Sequence, residues 1–242
     1  MRWLALAGMF GCLCFPSGLA NVLMSILNMK NDTSRTHAQS QEDCKSPLIV
    51  AVHKHNADEI RRLISAGIDL NDGSCGETAL TESIALGLTP IAKQLLLAGA
   101  NPSLSDSRAV SPLMYAGFYG NEELAALLLS RGAKVNDVDL DGYSALMVAA
   151  YHGSDGRIVA LLLRAGANVN LRNKRGGTAL TSAAFSGDEI AVQELVAAGA
   201  DLSANNDEST ALSLAKNREV GRKPSHDRIV SFLTHVIASQ GH

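Results

Sequence analysis

Residues 144–170 read SALMVAAYHGSDGRIVALLLRAGANVN, and similar stretches of about 33 residues recur along most of the chain. Each copy begins with Ser or Thr before a short apolar run and ends with a glycine followed by a polar turn. The copies start near residues 46, 78, 111, 144, 178 and 210, so successive starts are 32, 33, 33, 34 and 32 residues apart. A period of this length is typical of a solenoid in which each repeat is one supersecondary unit.

Each unit carries the local signals of two helices joined by a tight turn. Its first Ser or Thr can cap a short helix, and Pro47 and Pro112 stand at the first helical position, where no N–H is needed. A glycine such as Gly120 then ends the short helix, and a second helix follows with apolar residues three and four apart. A further glycine ends that helix, at Gly67, Gly99, Gly132, Gly166 and Gly199. One such hairpin leaves its apolar face uncovered, so we expect neighbouring units to stack and share a core.

These units resemble ankyrin repeats in their T-P-L-like start, central glycine and LLL-x-x-GA-x-VN ending. The resemblance covers residues 46–237 and implies an all-α ankyrin repeat solenoid of about six helix-turn-helix units with short hairpin fingers, followed by a tail at 238–242. The chain lacks the family's histidine after the leucine, and His55 replaces the central glycine in the first unit. The sixth unit carries six extra residues around Arg218 to Pro224, which we expect to form a surface loop.

The N-terminal residues MRWLALAGMFGCLCFPSGLA have the pattern of a secretory signal peptide. A basic residue precedes an apolar run that ends before Pro16, and Gly18 and Ala20 are the small residues expected before a cleavage point. We therefore predict a signal peptide at 1–20, cleaved after Ala20, a linker at 21–45, and a periplasmic or secreted mature protein. The alternative is an uncleaved segment that anchors the protein in the inner membrane as a scaffold.

The charge and the motifs argue against nucleic-acid binding and against catalysis. The chain has 21 basic and 24 acidic residues, a net charge of −3, which leaves no positive excess to neutralise phosphates. The sequence contains no phosphate-binding loop, no nucleophile elbow and no HExxH zinc motif, so we predict no catalytic residues, cofactor, metal site or small-molecule substrate. An enzyme or a metal-binding protein is the less favoured alternative.

The sequence contains two weaker patterns of possible metal ligands. His53 and His55 stand two residues apart and so do not share a helix face. Asp137, Asp139 and Asp141 precede a glycine as in a calcium loop, but the bidentate glutamate that completes such a loop is absent. We interpret the aspartates as turn residues between two units.

The predicted mature chain keeps two cysteines, Cys44 and Cys75, at near-equivalent positions of adjacent units. An even pair in an oxidising compartment favours a disulfide. Stacked helices lie roughly 8–10 Å apart, which exceeds the Cα separation of about 4.4–6.8 Å that a disulfide needs unless the lead-in to the first unit bends. A disulfide and two unpaired thiols are therefore both open interpretations.

Aromatic residues are scarce, at 4% of the chain, and six of them gather in the short helices and fingers of units three to five. We predict a partner-binding surface at these six residues: Tyr115, Phe118, Tyr119, Tyr143, Tyr151 and Phe185. Three of them, Phe118, Tyr151 and Phe185, recur at one position of their units and should form a column on the face that the resemblance implies to be concave. The alternative is that the rings fill the groove between the helix layers and only stabilise the fold.

The resemblance therefore implies a non-catalytic module that binds another protein. Its partner is either an enzyme of the same compartment, which the protein would assist, or a toxin, which it would neutralise as an immunity protein. After removal of residues 1–20 the net charge becomes −4, from 20 basic and 24 acidic residues, which favours a basic partner.

Overall fold

A computed structural model describes residues 46–74, 76–152, 156–206, 209–217 and 224–240 of the 242-residue chain. The predicted signal peptide and linker, both cysteines of the possible disulfide, and residues 218–223 of the predicted surface loop lie outside these ranges. The described residues belong to one unit of the chain, Cys44–His242. Among them, no helix combines the length and the apolar character needed to cross a membrane.

The described residues form twelve helices and a single two-stranded sheet, and the all-α expectation is confirmed. The elements are α1 (Pro47–His53), α2 (Ala57–Ser65), α3 (Ala79–Ala85), α4 (Thr89–Leu97), α5 (Pro112–Phe118), α6 (Glu122–Ser130), α7 (Ala145–His152), α8 (Arg157–Arg164), α9 (Ala179–Ser186), α10 (Glu189–Ala197), β1 (Asn205–Asn206), β2 (Ser209–Thr210), α11 (Ala211–Lys216) and α12 (Pro224–Gln240).

The odd-numbered helices are the first helices of successive units, and we call them the inner helices; the even-numbered ones are the outer helices. Each inner helix from α1 to α11 packs on the next inner helix, and the outer helices from α4 to α12 pack on one another in the same way. Apolar side chains between the two layers form a continuous core that extends from Leu48 in α1 to Leu233 in α12. Because every unit buries its apolar face against its neighbours, the stability of each unit depends on the units packed beside it.

Ser and Thr residues cap the inner helices as predicted in five of the six units. The capping hydroxyls accept backbone N–H groups three residues further on, and they belong to Thr78, Ser111, Ser144, Thr178 and Thr210. Ser46 makes no such bond and instead hydrogen-bonds the side chain of Asp72. The first unit therefore begins without the side-chain cap that its sequence predicts.

The loops between units form fingers, and one Asp or Asn organises each of three of them. Asp106, Asp139 and Asn173 each stand five residues before the cap of the next inner helix. Each accepts, through Oδ1, the N–H groups of the residues two and four positions further on, over 2.8–3.0 Å. Adjacent fingers are also joined by backbone bonds, such as that from Lys174 N–H to the Asp141 carbonyl (3.0 Å). In the last finger β1 and β2 pair antiparallel.

The last helix differs from the sequence expectation at both of its ends. Pro224, expected in a surface loop, begins α12, and the helix continues to Gln240, beyond the predicted end of the array at 237. The ring of His226 is buried, and its Nε2 lies 3.2 Å from the Phe185 carbonyl oxygen. Two residues further along, Arg228 donates to Glu189 at 2.5 Å. These contacts hold α12 on the fifth unit.

Candidate partner-binding face

Aromatic side chains from three successive inner helices form a continuous row. Phe118 lies edge to face with Tyr119, with ring centroids 5.0 Å apart, and contacts the ring of His152 at 4.1 Å. His152 in turn lies 5.2 Å from Tyr151, which stacks on Phe185 at 5.9 Å. The row arises because stacked helices present the same position every 33 or 34 residues. The structure therefore brings the three recurring aromatics together.

One edge of this row is open to solvent. Tyr119 is 40% exposed, His152 is exposed, and Phe118 and Tyr151 are half-buried. Leu86, which is 38% exposed, occupies in unit two the position that Tyr119 and His152 occupy in units three and four, eight residues after the cap. We call these five residues the aromatic stripe. Leu86 and His152 were not predicted, although their equivalence to Tyr119 is visible in the repeat itself.

The phenol groups of the stripe stay neutral at physiological pH. The Tyr119 hydroxyl donates to the Ala85 carbonyl oxygen at 2.7 Å, and burial raises the pKa of this phenol. Burial also raises the pKa of Tyr151 to about 12. The two tyrosines thus offer partly desolvated rings without charge, which suits contact with a partner.

Tyr115, which the sequence predicts on the partner-binding surface, is buried in the structure, with only 4% of the residue exposed. Its hydroxyl donates to Asp106 Oδ2 at 2.9 Å and accepts a hydrogen bond from Arg108 Nη2 at 2.9 Å. Arg108 also donates to Asp106 at 3.1 Å. Since both partners stand in the preceding finger, Tyr115 holds that finger against α5.

Phe185, also predicted as a contact residue, is likewise buried, with 6% exposure. One neighbour is the ring of Tyr151, and the Phe185 carbonyl oxygen lies against buried His226 of α12. This burial agrees with the alternative that the aromatics only stabilise the fold. The accessible part of the row therefore ends at Tyr151, which is half-buried.

Tyr143 belongs to the opposite end of the inner helix. It is half-buried in the finger before α7, where its N–H donates to Asp139 Oδ1 at 2.8 Å. Tyr151 and His152 lie in the last turn of α7, and a helix of eight residues is about 12 Å long. The structure therefore places Tyr143 with the fingers and does not bring it into the stripe.

A second group of polar side chains lies at the inner helices and fingers of units one to three, around the buried carboxyl group of Glu82. Glu82, in the middle of α3, has only 2% of its side chain exposed, and its Oε1 lies 2.7 Å from Nε2 of His53. Glu77, just before the cap of α3, shares a hydrogen bond with Glu82 and lies in the field of Asp106 and Arg108. The group thus contains three carboxyl groups but only one guanidinium, that of Arg108, and one imidazole, that of His53. Because like charges repel, it is electrostatically favourable for one of the carboxyl groups to keep its proton.

Glu77 is the carboxyl group that keeps the proton. Burial, followed by the hydrogen bond and the charge of Glu82, raises the pKa of Glu77 from 4.5 to about 9. The unfolded chain would release this proton near pH 4.5, while the native protein keeps it until about pH 9. The contribution of Glu77 to stability is therefore fully present below pH 4.5 and falls as the pH rises through this window.

Replacing Glu77 by glutamine should stabilise the protein at neutral and mildly alkaline pH, because the amide keeps a hydrogen-bond donor and never ionises. We expect a gain of about 1 kcal/mol near pH 8, or roughly 2–4 °C in Tm, after allowance for solvent screening. The gain should shrink towards pH 5. Thermal unfolding of Glu77→Gln and of the unaltered protein, followed by circular dichroism across this pH range, measures the difference.

The control for this prediction is Glu194→Gln, which neutralises an exposed carboxylate of α10. Its effect on Tm should be small and should not grow between pH 5 and pH 9. Equal pH dependence of the two variants would show that Glu77 ionises normally in the native protein.

The two weak metal patterns have structural explanations. The imidazole of His53 is engaged with Glu82, and His55 adopts a left-handed backbone (φ 51°) at the position where units two to five have glycine. Oδ1 of Asp139 accepts the N–H groups of Asp141 and Tyr143, and burial raises the pKa of this carboxyl. Among the described residues, no three His, Cys, Asp or Glu side chains come together as ligands for a metal ion.

Comparisons with known proteins agree with the repeat architecture. The family model described as "Ankyrin repeats (3 copies)" matches residues 13–106, 83–173 and 146–238. These matches span most of the chain, and the first of them extends from unit two back into the residues that precede Ser46.

Two curated relatives share only part of their length with this chain. The glycerophosphocholine phosphodiesterase gde1 of Schizosaccharomyces pombe (strain 972) is 34% identical over 96 residues, which are 39% of this chain and 8% of that enzyme. A protein described as ankyrin repeat-containing from Treponema pallidum (strain Nichols) is 39% identical over 104 residues, which are 42% of this chain and 35% of that protein. The similarity to the enzyme is confined to its ankyrin region and carries no activity across.

Proposed function

Because the chain belongs to the ankyrin repeat family, whose repeats form protein–protein interaction modules, we propose that it is non-catalytic and binds a partner protein through the aromatic stripe. The stripe is defined above by Leu86, Phe118, Tyr119, Tyr151 and His152. The family as a whole is generally non-catalytic.

The observation that carries this proposal is the recurrence of an exposed large side chain at one position of three stacked units. In a chain with 4% aromatic residues, Leu86, Tyr119 and His152 place three apolar or aromatic side chains side by side on the inner helices. Exposed large apolar groups that adjoin one another are uncommon on monomeric proteins and mark binding surfaces. Rigid rings lose little conformational entropy on binding, so they are effective contact groups.

We further propose that this partner is met outside the cytoplasm and is basic. The support is the sequence pattern of a signal peptide at 1–20 and the net charge of −4 that its removal would leave. Sequencing the N-terminus of the protein purified from its host tests the first point. A start at Asn21 would support export, and a start at Met1 would favour the membrane-anchored alternative.

The binding proposal is tested by isolating the partner with the unaltered protein and measuring its affinity for a stripe variant. We expect Leu86→Ala, Tyr119→Ala and His152→Ala together to weaken binding by a factor of about 100 or more, because they remove the exposed centre of the surface. Isothermal titration calorimetry with the purified partner gives the affinities. Circular dichroism should show an unchanged helical signal, since all three side chains are exposed.

A matched control removes apolar side chains of similar exposure from elsewhere on the array. Leu97, at the end of α4, and Ile237, in α12, are exposed and lie outside the stripe. The variant Leu97→Ala with Ile237→Ala should bind with unaltered affinity. The proposal is wrong if this control loses as much affinity as the stripe variant, or if the stripe variant binds normally.

A further inference from the structure

The finger before α7, which we call the third finger (residues 134–143), carries acidic and apolar side chains together. Asp137, Asp139 and Asp141 alternate with Val138 and Leu140, and Leu140 is 60% exposed. Asp139 is occupied in holding the turn, as described above. Within the described residues, the carboxylates of Asp137 and Asp141 make neither an ion pair nor a hydrogen bond, so both are available for contacts outside the chain.

The next finger, which we call the fourth finger (residues 168–177), has the opposite charge. It carries Arg172, Lys174 and Arg175. The side chains of Arg172 and Lys174 are exposed; Arg172 donates to Asp201 at 2.9 Å, and Lys174 makes no ion pair with any described residue. The backbone bond from Lys174 N–H to the Asp141 carbonyl oxygen fixes the two fingers side by side. An acidic patch and a basic patch therefore adjoin on the same edge of the array.

A surface with adjoining acidic and basic patches is complementary to itself. A two-fold axis places a surface against the same surface of a second copy. A residue on one side of the axis then faces residues of the second copy that come from the opposite side of that surface. An axis between the two fingers sets the acidic finger of each copy against the basic finger of the other. A partner of one charge sign would instead be attracted by one finger and repelled by its neighbour.

From this arrangement we propose that two copies of the chain associate through their third and fourth fingers about a two-fold axis. Val138 and Leu140 of one copy then pack on the aliphatic stems of Arg172 and Lys174 of the other, which removes the most exposed apolar groups of the finger from water. Asp137 and Asp141 of each copy pair with those same basic side chains. The aromatic stripe lies at the other end of the inner helices and stays accessible in both copies.

Charge exchange between the fingers tests this proposal on the purified protein. Sedimentation equilibrium should show a monomer–dimer equilibrium that weakens as the ionic strength rises to about 0.5 M, because exposed pairs are screened by salt. The variant Asp137→Lys with Asp141→Lys has two basic fingers, and the variant Arg172→Glu with Lys174→Glu has two acidic ones. Each variant alone should dimerise at least tenfold more weakly than the unaltered chain.

An equimolar mixture of the two variants gives the decisive result. The basic fingers of one variant face the acidic fingers of the other, so the mixture should form a one-to-one dimer at concentrations at which each variant alone is largely monomeric. A control variant, Asp58→Lys with Glu194→Lys, makes the same charge change as the first variant on the outer helices and should leave the dimer intact.

Three results would overturn the proposal. They are a monomer at every concentration, a dimer that none of the charge variants weakens, and a mixture that stays monomeric. Since the stripe is not part of the dimer contact, each of these results leaves the proposed partner binding to be judged by its own titration.

Discussion

Replacing Tyr115 by alanine should lower the free energy of unfolding by about 3–5 kcal/mol, as for other buried aromatic side chains. The ring is almost fully buried, and its loss leaves a cavity between α5 and the finger that precedes it. Asp106 Oδ2 then loses the hydroxyl donor at 2.9 Å and keeps only Arg108 as a side-chain partner. Because neighbouring units share their core, the damage should extend to units two and four.

Urea unfolding followed by far-UV circular dichroism measures this loss, and two variants separate its causes. Tyr115→Phe keeps the ring and should cost about 1–2 kcal/mol, since it removes only the hydroxyl from a charged network. Tyr119→Ala changes an exposed tyrosine of the same unit and should cost about 1 kcal/mol. If Tyr115→Ala were no more damaging than Tyr119→Ala, the buried network would not stabilise the finger.

Replacing Gly176 by alanine should destabilise the protein by about 2–4 kcal/mol, through backbone strain and a steric clash together. The residue has φ +81°, and a Cβ added there would lie 2.7 Å from the Asn205 carbonyl oxygen. Since that oxygen belongs to the backbone of β1 in the last finger, which is the fifth finger of the chain, the clash can be relieved only by moving one finger away from the next. The lost stability is measured as a shift in the urea midpoint.

Gly166→Ala is the matched control for this clash. Gly166 also has a left-handed backbone, with φ +86°, but a Cβ added there meets no atom within 4 Å. This variant should therefore cost only the left-handed backbone penalty of about 1–2 kcal/mol. Equal losses in the two variants would mean that close approach of the fourth and fifth fingers contributes nothing to stability.

The repeated architecture was predictable because each of its signals is local. Cap residues such as Thr78 and Thr178 act on N–H groups three residues away, and the sequence therefore predicts their helix starts. Ser46 was the exception, because the hydroxyl is used by Asp72, which lies 26 residues further along the chain. The start of α12 at Pro224 was missed for a similar reason, since its first turn is held by the contact of His226 with Phe185.

The candidate site was only partly predictable. Periodicity alone places Phe118, Tyr151 and Phe185 in one row, because equal spacing on stacked helices brings equivalent side chains together. Leu86 and His152 follow the same periodicity, but neither is Phe, Tyr or Trp, so the distribution of aromatic residues alone does not reveal them. The carboxyl pair of half-buried Glu77 and buried Glu82 has no sequence signal, because Glu77 precedes a cap and Glu82 stands within a short helix, as exposed glutamates often do.

Tyr115 and Tyr119 differ in exposure in a way that the sequence does not predict. They stand four residues apart, in and just after α5, and the sequence assigns both to the same surface. By itself the sequence determined the period, the two-helix units and the residues that cap them, since these depend on neighbours within one unit. Only the tertiary structure decided which tyrosine is accessible. Tyr115 is buried with its hydroxyl bonded to Asp106 and Arg108, while Tyr119 lies past the end of its helix and donates to the Ala85 carbonyl of the preceding unit.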